Sequence, residues 1–149
     1  MGFHHPKKRM IQIFNRSHYE DILFPVVHGL IDKKEIQERH EVINKFEEHL
    51  QKSNTIILKF YLHISKNEQG RRLETRLTDS KKKWKYNTAD KKEAKKWDDY
   101  MDAYQNVLDG CSKNNPWIIV PADQKWYRNY LVANKIVETL ENLKMKYPK

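Results

Sequence analysis

The sequence predicts an α/β protein in which three parallel strands alternate with helices, and three observations carry that expectation. Short apolar runs rich in β-branched residues stand at 10–14, 55–64 and 116–121. After the first two of them, and again near the end, apolar residues recur at three- and four-residue steps, the signature of amphipathic helices. Each apolar run also passes abruptly into polar and ionisable residues at its carboxyl end. Strands separated by helices pair in parallel through right-handed crossovers, and ligands bind outside the carboxyl ends of such strands.

Length and charge narrow the class. The chain has 149 residues, 33% of them charged, with 29 Lys+Arg against 20 Asp+Glu for a formal charge of +9. That length suits one domain with a real core, and aromatics spread through periodic segments argue against disorder. A basic surface attracts polyanions such as nucleic acid, a nucleotide, polyphosphate or an anionic membrane, without choosing among them. A single cysteine, Cys111, excludes an internal disulfide and fits a reducing compartment; beside Gly110 at an expected helix end it reads as a structural thiol. No apolar run reaches the ~18 residues of a membrane span. Residues 1–9 lack the apolar middle of a signal peptide, and position six lacks the Ser or Thr of a myristoylation signal. A cytoplasmic location is expected.

In chain order, His4, His5 and the segment 6–9 form a surface approach to the first strand. Adjacent histidines on an extended chain point opposite ways, which disfavours a metal site there. The run 10–14 leads directly into Asn15-Arg16-Ser17-His18-Tyr19-Glu20-Asp21. Arg16 is suited to bidentate phosphate binding, and Glu20 or Asp21 offers oxygen to a divalent metal; an ordinary solvated loop is the competing reading. Pro25 interrupts the next apolar stretch, so 22–28 is expected to be a packed connection or short helix rather than a central strand.

From Asp32 to about Gln51 the residues Ile36, His40, Ile43, Phe46 and Leu50 make one apolar stripe, with Lys33, Lys34, Glu38, Glu41, Glu47 and Glu48 largely opposite. The run 55–64 is near-continuously apolar, as a strand buried on both faces would be. Ser65 and Glu68 form a capping box, so a helix starts just past that strand, with an amino terminus attractive to anions. This helix carries Arg71, Arg72 and Arg76, of which Arg72 and Arg76 share a face. The segment 81–86 then interleaves lysines with Trp84 and Tyr86, which fits stacking on single-stranded nucleic acid and a mobile lid over a nucleotide equally well. Asp90 and Glu93 are a second capping box, opening a helix with the stripe Ala94, Trp97, Met101, Tyr104 and Leu108 and closing at Gly110. The strand 116–121 leads into 122–128, again polar, and a last helix carries the stripe Tyr130, Ala133, Val137, Leu140 and Leu143.

Taken together, these segments resemble the polyphosphate kinase 2 family, of the P-loop kinase fold. The residues that carry the resemblance are Ile13 to Asp21, Leu62 to Lys66 with Glu68-Gln69, Arg71 to Glu74 with Arg76-Leu77, Lys82, Trp84-Lys85, Trp97 to Tyr100, Pro116-Trp117, and Val120 to Asp123 with Lys125 to Asn129. The likeness spans nearly the whole chain, with Ser80 standing where the family has proline and Asn15 where many relatives have aspartate.

The resemblance implies phosphoryl transfer between inorganic polyphosphate and a nucleoside mono- or diphosphate (ADP/AMP or GDP/GMP), with Mg2+ as cofactor. It implies a partial P-loop kinase fold, in which the segment from Asn15 is the Walker B-like region. Arg16 would meet the transferring phosphoryl group, with Asn15, Glu20 and Asp21 beside it in the catalytic set and Glu20 and Asp21 supporting the metal. Arg72, Arg76, Lys82 and Lys85 would lie on a helical lid, about 66–96, while His18, Asp123, Lys125 and Arg128 would border the phosphates or the nucleotide.

The family also carries a glycine-rich phosphate loop upstream of this motif. Here the glycines are Gly2, Gly29, Gly70 and Gly110, and no G-x-x-x-x-G-K pattern occurs. The expectation is therefore the carboxyl-terminal half of such a kinase, a single domain over 1–149, from a truncated gene, a split gene or an internal start. Its expected partners are a second copy or a complementing amino-terminal half. A polyanion-binding protein without catalysis is the second reading and a nucleic-acid-binding module the third.

Overall fold

The computed structural model describes residues 10–111 and 113–146, so the readings of His4, His5 and 6–9 fall outside the described residues. In chain order the elements are α1 (Glu20–Val27), α2 (Lys33–Lys52), β1 (Lys59–His63), α3 (Lys66–Thr78), a 3-10 turn (Lys83–Lys85), α4 (Thr88–Ala94), α5 (Trp97–Gly110), β2 (Trp117–Pro121) and α6 (Lys125–Asn142). They divide into two compact units, one taking residues 1–57 and 98–116 and the other 58–97 and 117–149. Among the described residues no helix is long and apolar enough to cross a membrane.

The first unit is helical. Asp32 caps α2 by accepting the Glu35 N–H at 2.8 Å, and the buried side chains of Tyr19, Ile22, Leu23, Ile43, Ala103, Val107 and Cys111 make its core. On α5 the buried positions Ala103 and Val107, continued by Cys111, recur every fourth residue and so line one helix face. Pro25 lies inside α1 as the short-helix reading allows, and its missing N–H leaves the Asp21 carbonyl without its usual helical donor. Arg39 of α2 donates to that carbonyl from its guanidinium, which also contacts Glu35 at 2.6 Å. A proline that would weaken α1 is thereby turned into a tie between α1 and α2.

The second unit holds the sheet. β1 and β2 run parallel in the register Lys59↔Trp117 to His63↔Pro121, and the Ala122 N–H extends the ladder to the His63 carbonyl at 2.7 Å. Lys59 is buried at the start of β1, with its ammonium 5.1 Å from the centre of the Trp117 ring. α3 begins as its capping box requires, the Ser65 Oγ accepting the Glu68 N–H at 3.1 Å. The α/β class is as expected.

Five expectations need correction. The sheet has two strands among the described residues, not three: 10–14 pairs with no neighbouring strand, and Met10, Ile11, Ile13 and Phe14 are exposed. An apolar run becomes a strand only where another strand meets its backbone donors and acceptors. Burial on both faces does not hold for β1 either, since Leu62 is exposed, as is Ile119 on β2. The Asp90 box does not open a helix, because Asn87 caps α4 three residues earlier through the Ala89 N–H at 2.9 Å, and a turn at Lys95-Lys96 separates α4 from α5. The α6 stripe faces outward: α6 has no buried residue, and Tyr130, Ala133, Val137 and Leu143 are exposed. Finally, Glu47, assigned to the solvent face of α2, is 3% exposed.

Candidate functional site

The motif 15–21 lies in the first unit and is built around a bend in the chain. Arg16 has a φ of 80°, a left-handed conformation that costs a residue with a side chain about 1 kcal/mol. The bend leaves the Arg16 side chain 76% exposed and lets its guanidinium donate to the Glu20 carboxylate at 3.0 Å. Glu20 and Asp21 occupy the first turn of α1, where negative charge complements the helix dipole. Burial pushes the Tyr104 phenol on α5 upward, with the Glu20 charge adding to the shift and Arg16 opposing it, so Tyr104 stands within electrostatic reach of this pair.

Behind the exposed pair the motif is fastened inward. Tyr19 precedes α1 in helical conformation and makes no side-chain cap; its hydroxyl donates instead to Glu47 at 2.6 Å. Such a short bond to a carboxylate is charge-assisted. Asn115 donates to the other Glu47 oxygen at 3.3 Å, and the His18 Nε2 lies 3.6 Å from the first, an ion pair when the imidazole is protonated. The His18 ring stacks on Tyr19 with centroids 4.6 Å apart and meets the edge of Phe46 at 5.7 Å. Burial and the Glu47 carboxylate together hold the Tyr19 proton far beyond the ordinary phenol range.

The remaining expected site residues lie in the second unit, where most are tied to neighbours. Glu68 accepts from Arg71 at 2.6 and 2.7 Å and from the Arg72 Nε at 2.6 Å. These two guanidiniums hold its carboxyl down at about 2. The other end of Arg72 donates to the carbonyls of Ala122 at 2.7 Å and Asp123 at 3.1 Å, and the Asp123 carboxylate accepts the Ser65 N–H at 2.7 Å. Arg72 and Asp123 therefore stitch the carboxyl end of β2 to the start of α3, and the protein's own carboxylate sits where an outside anion was expected. Arg76 pairs with Asp90 at 2.5 Å and Lys82 with Asp79 at 2.7 Å. The Lys85 ammonium lies 4.9 Å from the centre of the Trp84 ring, Arg128 donates to Asn129 at 2.7 and 3.1 Å, and Lys125 is exposed at the start of α6.

Among the described residues no three His, Cys, Asp or Glu side chains cluster as a metal cage. Magnesium asks for less, because it keeps several waters and takes one or two carboxylates together with substrate phosphates. In the first turn of α1, Glu20 or Asp21 could supply one such carboxylate.

Sequence reasoning missed Glu47, Asn115, Arg39 and the Arg76 partner Asp90. Two of these left a signal. The spacing 36, 40, 43, 47, 50 is a continuous three-and-four pattern that includes Glu47, and a proline inside a helix announces a carbonyl in need of a donor such as Arg39.

The family model described as polyphosphate kinase 2 matches residues 2–148. The chain is 44% identical over 144 residues to an AMP/ADP-polyphosphate phosphotransferase of Meiothermus ruber, covering 96% of this chain and 54% of that protein. It is 40% identical over 156 residues to an ADP-polyphosphate phosphotransferase of Rhodopseudomonas palustris, with the same 96% and 54% coverage. It also superposes on the crystal structure of polyphosphate kinase 2 from Arthrobacter aurescens TC1 with a TM-score of 0.89 at 44% identity, covering 91% of this chain and 48% of that one. The chain thus spans about half the length of the curated relatives it matches. With the family model running from residue 2 to residue 148, this chain belongs to the polyphosphate kinase 2 family.

Proposed function

We propose that this chain works in phosphoryl transfer between inorganic polyphosphate and an adenine nucleotide, AMP or ADP, with GMP and GDP as further acceptors. The observation that carries this reading is the family match over residues 2–148, which takes in the motif 15–21. Phosphoryl transfer depends on positioning and on neutralising charge rather than on a covalent nucleophile. In the first unit, Arg16 meets the transferring phosphoryl group with Asn15 beside it, His18 steadies the motif from the Glu47 side, and Glu20 and Asp21 would hold Mg2+, which would supply neutralising charge when bound. For Arg16 this requires an exchange of its Glu20 partner for phosphate, a small cost for an exposed pair.

In the second unit, α3, the 3-10 turn and α4 form the lid of a partial P-loop kinase fold, about 66–96. Arg76, Lys82 and Lys85 contact polyphosphate from it, while Lys125 and Arg128 border the nucleotide. Arg72 and Asp123 support that lid through β2 rather than binding phosphate directly. The glycine-rich phosphate loop, which the sequence of this chain does not contain, comes from a further segment or a complementing amino-terminal half, and the partner in the assembly is that half or a second copy. The reducing setting that suits Cys111 is the cytoplasm.

A second reading is polyphosphate binding without transfer, favoured by the formal charge of +9 together with the missing loop. The test incubates the full chain with Mg2+, polyphosphate and ADP or AMP, alone and with the loop-bearing half of a relative. Transfer only in the mixture is expected. Turnover by the chain alone at the rate of a full-length relative overturns the requirement for the loop, and binding with no transfer in either arm selects the second reading.

A further inference from the structure

We propose that Glu47 is a positioning residue for Arg16, acting through Tyr19 and His18. The inference rests on the reading of Arg16 as the phosphate contact. A carboxylate 3% exposed is costly to bury, and apolar side chains of similar volume often serve stability as well or better. What a buried carboxylate adds is direction. Glu47 gathers donors from two separate segments: the Tyr19 hydroxyl at 2.6 Å from the motif and the Asn115 amide at 3.3 Å from the stretch before β2. The His18 Nε2, also of the motif, stands 3.6 Å away.

Within 10–21 the buried side chain is that of Tyr19, with His18 half-buried beside it, whereas 10–16 are exposed throughout. The buried anchor of the motif is therefore Tyr19. Its bend, the φ of 80° at Arg16, falls only two residues before His18 and three before Tyr19. Loss of the Glu47 link frees that strained residue to relax toward ordinary backbone angles, which swings the exposed guanidinium away from its place beside Glu20. At 3% exposure Glu47 offers phosphate no face of its own, so its effect on phosphate passes through the residues it holds.

Backbone 15N heteronuclear NOE values of the full chain provide the test, with Glu47→Ala compared against the unaltered chain. The expected result is a drop at Asn15, Arg16 and Ser17 while Ile43 and Val107 keep their values. Unchanged values at Arg16 in the folded variant overturn the proposal. Tyr19→Phe cuts the same link by one atom and carries the experiment if Glu47→Ala does not fold.

A binding cycle reads the consequence. Arg16→Gln and Glu47→Ala are each expected to weaken polyphosphate binding about five- to tenfold, and the double variant no more than Arg16→Gln alone. Losses that multiply show a merely structural Glu47 and overturn the proposal. If the unaltered chain binds no polyphosphate, the phosphate reading of Arg16 fails, and the NOE values still decide whether Glu47 orders the bend.

Discussion

Substituting Gly110 tests how α2 meets the end of α5. In most helices glycine to alanine is stabilising by about 1 kcal/mol, because alanine loses less backbone entropy. Gly110 closes α5 in helical conformation, but a Cβ built there would stand 2.3 Å from the His40 Nδ1 and 2.6 Å from its Cε1. Ordinary contact begins near 3.4 Å, so the ring must move by about an ångström. His40 is only 4% exposed, and the Asn44 side chain donates to the Gly110 carbonyl at 2.9 Å, so neither partner yields easily. Overpacking costs about 1–3 kcal/mol, and a clash this deep against two held partners belongs to the upper part of that range, about 2–3 kcal/mol.

Net of the alanine gain, Gly110→Ala is expected to destabilise by about 1–2 kcal/mol, which lowers Tm by roughly 2–8 °C in a chain of this size. Urea and thermal unfolding followed by circular dichroism measure it. The same substitution placed in a His40→Ala background has room for its methyl group and is expected to be neutral or stabilising. A Gly110→Ala chain as stable as the original refutes the reasoning. So does the absence of coupling between the two positions beyond the ~0.5 kcal/mol of independent sites.

Other predictions follow from the ties described above. Because Glu68 is held at about 2 against an ordinary 4.5, the folded state is favoured at neutral pH, and that contribution fades as pH falls from near 4.5 through about 2. Acid unfolding of α3, followed by amide NMR, should in Glu68→Gln lose this pH dependence. The raised Tyr19 phenol works the opposite way: its contribution is whole below the ordinary 10.0 and declines as pH rises past it. Absorbance of tyrosinate at alkaline pH should then show one more slow, unfolding-linked phenol in the original chain than in Tyr19→Phe. Arg39→Ala leaves the Asp21 carbonyl without its donor and should cost about 1–2 kcal/mol in urea denaturation. Adding Pro25→Ala restores a helical N–H to that carbonyl and should recover most of the loss.

What could be read from the sequence was mainly local. Asp32 and Ser65 announce α2 and α3 because a cap satisfies amides within a few residues of itself. β1 and β2 were legible because each is apolar and each finds the other. The run 10–14 has the same composition, yet a strand is a property of a pair, and the sequence of one run does not reveal whether the other is present. Asp90 looked like a cap for the same reason: its pattern is local, while its actual partner, Arg76, lies fourteen positions back.

The candidate site divides the same way. That positions 16, 72, 76, 82, 85, 125 and 128 carry cations is plain in the sequence. Which of them are engaged by carboxylates and carbonyls depends on contacts made at a distance. Arg72 is the instructive case, because its donors go to Glu68, Ala122 and Asp123. Glu47 is the converse: a glutamate in a charged helix looks solvated until its neighbours at 40 and 43 are seen to be buried.

The claim at the centre of this account is that Arg16 binds phosphate by its place in the fold and not by general attraction to a basic chain. Arg16→Gln and Lys34→Gln each remove one positive charge, the second from an exposed lysine paired with Glu38 at 3.7 Å on the solvent face of α2. Polyphosphate affinity of the full chain, measured by calorimetry at stepped salt, should fall about five- to tenfold for Arg16→Gln and by less than twofold for Lys34→Gln. Equal losses at the two positions, or no saturable binding by the unaltered chain at low salt, would contradict it.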